Sequence, residues 1–259
     1  MRSARRKFLS LLALTGAIAA ATLAVGVVAS PAQAIANGVP VPDGKYQFST
    51  KLTMTGIPNP DGTTRNSGCS GALIAPEWVL TAGHCFHDVN GTRVSGDVPY
   101  ATNATIGRVE ADGPGGVDVA IVEVEQSPVN DIALARLEHP VSDIEPIQLA
   151  HSTPVAGEVL RMTGWGAVDG TSGVPATHLQ TGLFTVSSVA ATTLGVTGKS
   201  PSPETSACLY DSGAPYFRKT DHGPEVVSTE SDGPDCPHAE EETTARVDVA
   251  ADWIMQEIG

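Results

Sequence analysis

Residues 69–85, CSGALIAPEWVLTAGHC, decide how this chain is read. Two short β-type runs, Cys69–Ile74 and Trp78–Ala82, stand either side of a Pro-Glu turn, and the second runs into His84 beside a cysteine. Similar runs recur at Val117–Val124, Asp131–Leu137, Val159–Gly164, Gly182–Val186 and Glu225–Ser228, separated by Gly- and Pro-bearing turns. Many short strands at such spacing, with few long helical periods, predict an all-β barrel or sandwich. One helix is expected at the end, with Asp248 as its cap and Val249, Trp253, Ile254 and Ile258 near one face.

The chain opens with Arg2, Arg5, Arg6 and Lys7, then an apolar run from Phe8 to Val28, then Pro31-Ala32-Gln33-Ala34. A basic start, an apolar stretch and a small-x-small ending describe a signal peptide over residues 1–34, cleaved after Ala34. Arg5-Arg6-Lys7-Phe8-Leu9 also resembles a twin-arginine export signal. Secretion is therefore expected, with no membrane attachment after cleavage. The remaining 225 residues suffice for one large β domain or two small ones. The net charge is −14, and removing the four leader cations makes it −18. Such a chain repels nucleic acid and anionic membranes alike. The acids gathered over Asp235–Glu242 read as a solvated loop. His84 and His87 lack a metal-binding context, so no metal or cofactor is expected. Cys69, Cys85, Cys208 and Cys236 all lie in the exported part, where an even number reads as two disulfides with three connectivities open. The short-range pairing of Cys69 with Cys85 would contribute roughly 3 kcal/mol of chain entropy.

Three separated segments carry the chemistry: TAGHC at 81–85, NDIALARL at 130–137 and CLYDSGAP at 208–215. They supply His84, Asp131 and Ser212 in that order. A serine hydroxyl becomes a useful nucleophile only when an imidazole takes its proton and a carboxylate fixes that imidazole's tautomer. No G-x-S-x-G elbow surrounds Ser212, which argues against an esterase of the α/β class. A division near residues 145–156 gives halves 35–150, holding His84 and Asp131, and 151–259, holding Ser212, with catalysis in the cleft between them.

These segments, with TGWG at 163–166 and the TARVD stretch before the final helix, resemble the trypsin/chymotrypsin family of serine endopeptidases across residues 35–258. The resemblance implies two packed antiparallel β-barrels with a C-terminal helix, and disulfides Cys69–Cys85 and Cys208–Cys236. It implies that Ser212 attacks the scissile carbonyl, His84 shuttles the proton and Asp131 orients His84. It also implies an oxyanion hole formed by the backbone N–H groups of Tyr210 and Ser212. Protein or peptide substrates and a monomer follow from the same likeness.

Departures from the family pattern bear on function. Tyr210 stands where glycine is usual; a bulky residue held at positive φ would cost about 1–3 kcal/mol. Ala214 replaces a second glycine. Ser206, at the floor of the specificity pocket, offers no carboxylate to a basic side chain, whereas Glu242 is aligned to line the same pocket and would restore that preference by charge pairing. Ser228-Thr229-Glu230 stands where Ser-Trp-Gly is usual: Ser228 would pair with the substrate backbone and Glu230 would crowd the entrance, unless a shift of register brings Ser231 there instead. A weakly active or inactive binding or toxin-like protein on the same scaffold is the alternative if Tyr210 closes the oxyanion hole. Finally, Ile35-Ala36-Asn37-Gly38 resembles the family's activated N-terminus and directly follows Ala34. Signal cleavage would thus release an Ile35 ammonium to pair with Asp211, with no intervening propeptide.

Overall fold

A computed structural model of the chain describes residues 35–167, 170–171 and 173–259. The expected leader, residues 1–34, lies outside them. Fifteen strands are found among the described residues: β1 Val39–Pro40, β2 Ser49–Pro58, β3 Thr64–Ala75, β4 Trp78–Ala82, β5 Gly96–Asp97, β6 Thr102–Ile106, β7 Val117–Gln126, β8 Ile132–Leu137, β9 Gln148–Leu149, β10 Val159–Gly164, β11 Gln180–Val189, β12 Thr193–Ser200, β13 Pro215–Thr220, β14 Gly223–Asp232 and β15 Glu242–Arg246. The helix α1 spans Ala251–Ile258.

The strands form two closed six-stranded antiparallel barrels. In the first, β2, β3, β4, β8, β7 and β6 follow one another and β6 returns to β2, with β5 extending β7. In the second, β10, β13, β14, β15, β12 and β11 close in the same way; β1 adds to β11, and β9 pairs in parallel with β14. Closure leaves no long unpaired edge, so backbone donors are satisfied around each ring. Strand β3 illustrates how sequence sets position. Its polar first half, Thr64–Ser67, projects outward, while Cys69–Ile74 is buried without interruption. That buried half pairs with β4, whose Val79–Ala82 are equally enclosed, so this hairpin runs through the middle of the molecule and delivers His84 at its end.

The barrels meet along a seam of specific contacts. The Phe48 and Phe217 rings cross edge to face at 5.3 Å, and the Ser49 and Thr163 hydroxyls share a hydrogen bond of 2.8 Å. Asn130, next to Asp131, donates from Nδ2 to the carbonyls of Arg246 at 2.8 Å and Thr192 at 3.1 Å, tying the first barrel's loop to the second barrel. The terminal helix seats Ile254, fully buried, in the larger core, with Trp253 and Ile258 packed against it. Asp248 does not cap that helix, whose N-cap is Ala250; its carboxylate instead takes two bonds from the Arg246 guanidinium. The doubly bonded, nearly buried ion pair at 2.6 Å outcompetes a solvent-facing cap.

Candidate active site

Three different elements bring their side chains to the seam between the barrels. His84 sits on the single 3₁₀ turn Gly83–Cys85 that follows β4, and the Cys69–Cys85 disulfide staples that turn to β3. Asp131 immediately precedes β8, and Ser212 occupies the tight turn before β13. The His84 ring offers Nδ1 to Asp131 Oδ2 at 2.7 Å, and the His84 backbone N–H donates to Oδ1 at 2.8 Å. Ser231 adds a hydroxyl donor to Oδ2 at 2.7 Å. Burial works against ionisation of Asp131, but the hydrogen bonds from His84 and Ser231 outweigh it and hold the carboxyl below the usual range. An ionised carboxylate only accepts, so Nδ1 carries the hydrogen and Nε2 of a neutral ring is left as a base.

His84 and Ser212 line one cavity of about 380 Å³. The turn bearing Ser212 lies flush against β3 and β4: the Ser212 carbonyl accepts the Ser70 N–H at 2.8 Å. Gly213 makes that approach possible. It has φ +82°, and a Cβ there would fall 2.2 Å from Thr81 Oγ1 and 2.4 Å from the Ser70 carbonyl. Beneath the turn, Asp211 is wholly buried and accepts backbone N–H groups from Gly166 at 2.8 Å, Cys208 at 3.0 Å and Ile35. Burial pushes its carboxyl up to about 7 despite those three donors. Ile35 is itself fully buried, in the core of the second barrel.

The family model for trypsin matches residues 35–254. The chain belongs to the trypsin family. Glucanase inhibitor protein 1 of Phytophthora infestans is 28% identical over 92% of this chain and 94% of its own length. Serine protease 56 of Mus musculus is 31% identical over 52% of the chain but 21% of its own length. A Bothrops jararaca venom serine protease, HS114, is 32% identical over 39% of each. The chain thus spans from about a fifth to two-fifths of the length of these two relatives. Among solved structures, mouse neuropsin, described as a serine protease expressed in the limbic system, superposes with a TM-score of 0.69 at 19% identity, covering 87% of this chain and all of that one.

Tyr210 has φ +75°, the left-handed conformation that a bulky side chain enters only at a cost. Its carbonyl accepts from Ser70 Oγ at 3.1 Å and its phenol donates to the Gly173 carbonyl at 2.8 Å, so the residue is held at its backbone carbonyl and at the tip of its side chain. Among the described residues, the Tyr210 and Ser212 backbone N–H groups meet no protein acceptor.

Ser228 and Ser231 sit differently in β14. Ser231, not Ser228, reaches the Asp131 carboxylate. Ser228 is buried inside the sheet, paired on one side with Tyr216 and on the other with Arg246, so its backbone is spent on β13 and β15. Glu230 does not crowd an entrance. It is buried in the cavity wall and accepts the Tyr216 hydroxyl at 2.7 Å. Ser206 is buried behind the cavity rather than on its lining, with its hydroxyl taking the His238 N–H at 3.3 Å.

Glu242 reaches the cavity, and the reading of Asp235–Glu242 as a uniformly solvated run fails at this residue: Glu242 is 1% exposed. It belongs to β15, whose pairing with β12 and β14 turns alternate residues inward. The Cys208–Cys236 disulfide links the two segments that flank this cavity. Sequence reasoning missed Tyr216 and Arg93. Tyr216 lies four residues beyond Ser212 in a run that reads as ordinary core. Arg93 Nη1 comes within 3.6 Å of Asp131 Oδ1 while donating to the Asn130 carbonyl at 2.8 Å.

Proposed function

We propose that the protein is a secreted serine endopeptidase that hydrolyses peptide bonds through an acyl-enzyme, with Ser212 as nucleophile, His84 as general base and acid, and Asp131 as the group that orients His84. The observation that carries this reading is the ring of donors on Asp131, which fixes the His84 tautomer with Nε2 unprotonated beside the cavity that Ser212 also lines. Ser212 Oγ attacks the scissile carbonyl as His84 Nε2 takes its proton. The same imidazolium returns the proton to the leaving amine, and water repeats the sequence to release the acyl group. The N–H groups of Tyr210 and Ser212 receive the developing oxyanion, each such donor being worth about 3 kcal/mol.

Residue preference comes from Glu242, a buried carboxylate on the cavity wall, which favours lysine or arginine before the scissile bond. Ile35 and Asp211 form the activation pair. Signal cleavage after Ala34 turns the Ile35 N–H into an ammonium already seated beside a buried carboxyl. The substrates are proteins or peptides, the working form is a monomer outside the cell, and neither nucleic acid nor membrane takes part. A binding role on the same scaffold is favoured by one observation: the relative that matches nearly the whole chain is named an inhibitor. Labelling of Ser212 by a fluorophosphonate, measured beside turnover of a protein substrate, separates the two. Labelling with turnover supports the endopeptidase, and a protein that neither labels nor turns over is a binder.

A further inference from the structure

Both peptide planes that define φ at Tyr210 are held from behind. The plane before it is fixed at the Leu209 carbonyl, which accepts the Ala167 N–H at 2.6 Å. The plane after it is fixed at the Tyr210 carbonyl, which accepts from Ser70 Oγ at 3.1 Å. Ser70 is 1% exposed, and its hydroxyl oxygen in turn accepts the Trp165 N–H at 3.0 Å. A hydroxyl has one hydrogen to give and lone pairs to receive. With the Trp165 N–H on one side, the Ser70 hydrogen goes to the Tyr210 carbonyl on the other.

Three successive N–H groups thus hold the turn that carries Ser212. Ala167 reaches Leu209 directly, Gly166 reaches Asp211 Oδ1 at 2.8 Å, and Trp165 reaches Tyr210 through the Ser70 hydroxyl. Gly166 permits the approach, since a Cβ there would fall 2.2 Å from Asp211 Oδ2. The Ser70 backbone is committed to the same turn: its N–H donates to the Ser212 carbonyl at 2.8 Å, and its own carbonyl is fixed by Thr81 Oγ1 at 2.7 Å. One residue of β3 therefore holds the carbonyls of both Tyr210 and Ser212. Among the described residues, these are the two whose N–H groups stand unpaired at the cavity.

The backbone bond to Ser212 could be made by many residues, but the bond to Tyr210 needs a side-chain donor. It has work to do, because a residue with a Cβ is disfavoured in the left-handed conformation that Tyr210 occupies at φ +75°. Once its carbonyl is released, Tyr210 can relax to negative φ, and its N–H then turns from the position it now holds. We propose that Ser70 is a positioning residue of the reaction, whose hydroxyl acts through the Tyr210 carbonyl to keep the oxyanion hole formed around a tyrosine. This deepens the endopeptidase reading above and rests on it. Ser70 touches no substrate. Its effect falls on the transition state alone, where the oxyanion exists, and it is needed only while position 210 carries a side chain.

The test is a double-mutant cycle on steady-state hydrolysis of a peptide anilide, with active sites counted by complete reaction of Ser212 with a fluorophosphonate. Ser70→Ala should lower kcat about tenfold and change KM by less than about twofold, as expected for an interaction expressed only in the transition state. In the Tyr210→Gly background, where glycine adopts positive φ freely, Ser70→Ala should change kcat by less than about twofold. Affinity for a peptidyl aldehyde, whose adduct with Ser212 places an oxyanion in the hole, should fall in parallel with kcat. Melting temperature separates this from a merely structural role. Ser70→Ala orphans the Trp165 N–H whichever residue stands at 210, so it should lower Tm alike in both backgrounds. Equal losses of kcat in the two backgrounds, a change in KM with kcat unmoved, or no loss in either overturns the proposal and leaves the endopeptidase reading standing. A parent protein that neither labels nor hydrolyses overturns that reading and the proposal with it.

Discussion

His84 is held by Asp131 at two points, its backbone N–H 2.8 Å from Oδ1 and its ring Nδ1 2.7 Å from Oδ2. One carboxylate thereby fixes both the position of the turn and the tautomer of the ring. Asp131→Asn would keep the shape but present an amide that donates as well as accepts, favouring the wrong tautomer. Turnover should fall on the order of 10⁴-fold with little change in KM, measured by steady-state kinetics on a peptide substrate.

Ser231→Ala removes one donor from the same carboxylate and lets its pKa climb toward the ordinary range. The folded-state value of Asp131 is depressed, so its contribution to stability is present above the unfolded value near 4 and is lost as pH falls through the folded one. The variant should therefore lose that contribution at higher pH than the parent. An acid-unfolding curve with an unmoved midpoint would remove Ser231 from the account.

Tyr210 holds φ +75° whether or not its side chain is useful. Tyr210→Gly and Tyr210→Ala both delete the ring and its bond to Gly173, and they differ in what positive φ costs. The glycine variant should be more stable than the alanine variant by about 1 kcal/mol, which is about 2–4 °C in Tm for a chain of this size. Equal melting temperatures would mean that the turn relaxes in solution.

The proposed pairing of Ile35 with Asp211 would tie activation to pH. With the chain uncut before Ile35, the Asp211 carboxyl is raised to about 7. A raised carboxyl costs stability progressively as pH climbs from about 4 to 7, so a form retaining residues before Ile35 should melt lower at pH 7.5 than at pH 5. Cutting supplies an ammonium, whose own pKa rises above its free value of about 8 on pairing. Its contribution is full below that value and is lost as pH rises through the folded one. The processed form should therefore lose activity reversibly at alkaline pH, and Asp211→Asn should be inactive throughout. An active secreted protein whose N-terminus is not Ile35 contradicts this activation scheme.

The parts legible in the sequence were those whose residue types are dictated locally. β4 and β10 fall on the expected residues because short runs dominated by apolar side chains between turns, WVLTA and VLRMTG, have few other uses. β2, β12 and β15 escaped because STKLTMTGIP, TLGVTGKS and ETTAR mix Thr, Gly and charge, and only pairing around a closed barrel selects them. His84, Asp131 and Ser212 were found through their flanking motifs. Of the cavity wall, Glu230 and Glu242 were named from the sequence, but the position of Ser231 was not readable, because β14 carries irregular pairing between Glu230 and Asp232 and a bulge leaves no mark in composition. Burial of Glu242 is likewise a property of the sheet around it.

The most direct test of the account is the rate of peptide hydrolysis by the protein and by Ser212→Ala, His84→Ala and the double variant. Groups that act as one unit lose their effect together. Each single substitution should lower turnover on the order of 10⁴-fold or more with the fold intact, and the double variant should be little worse than either. Losses that add in the double variant, or single variants that keep turnover within tenfold of the parent, would contradict the assignment.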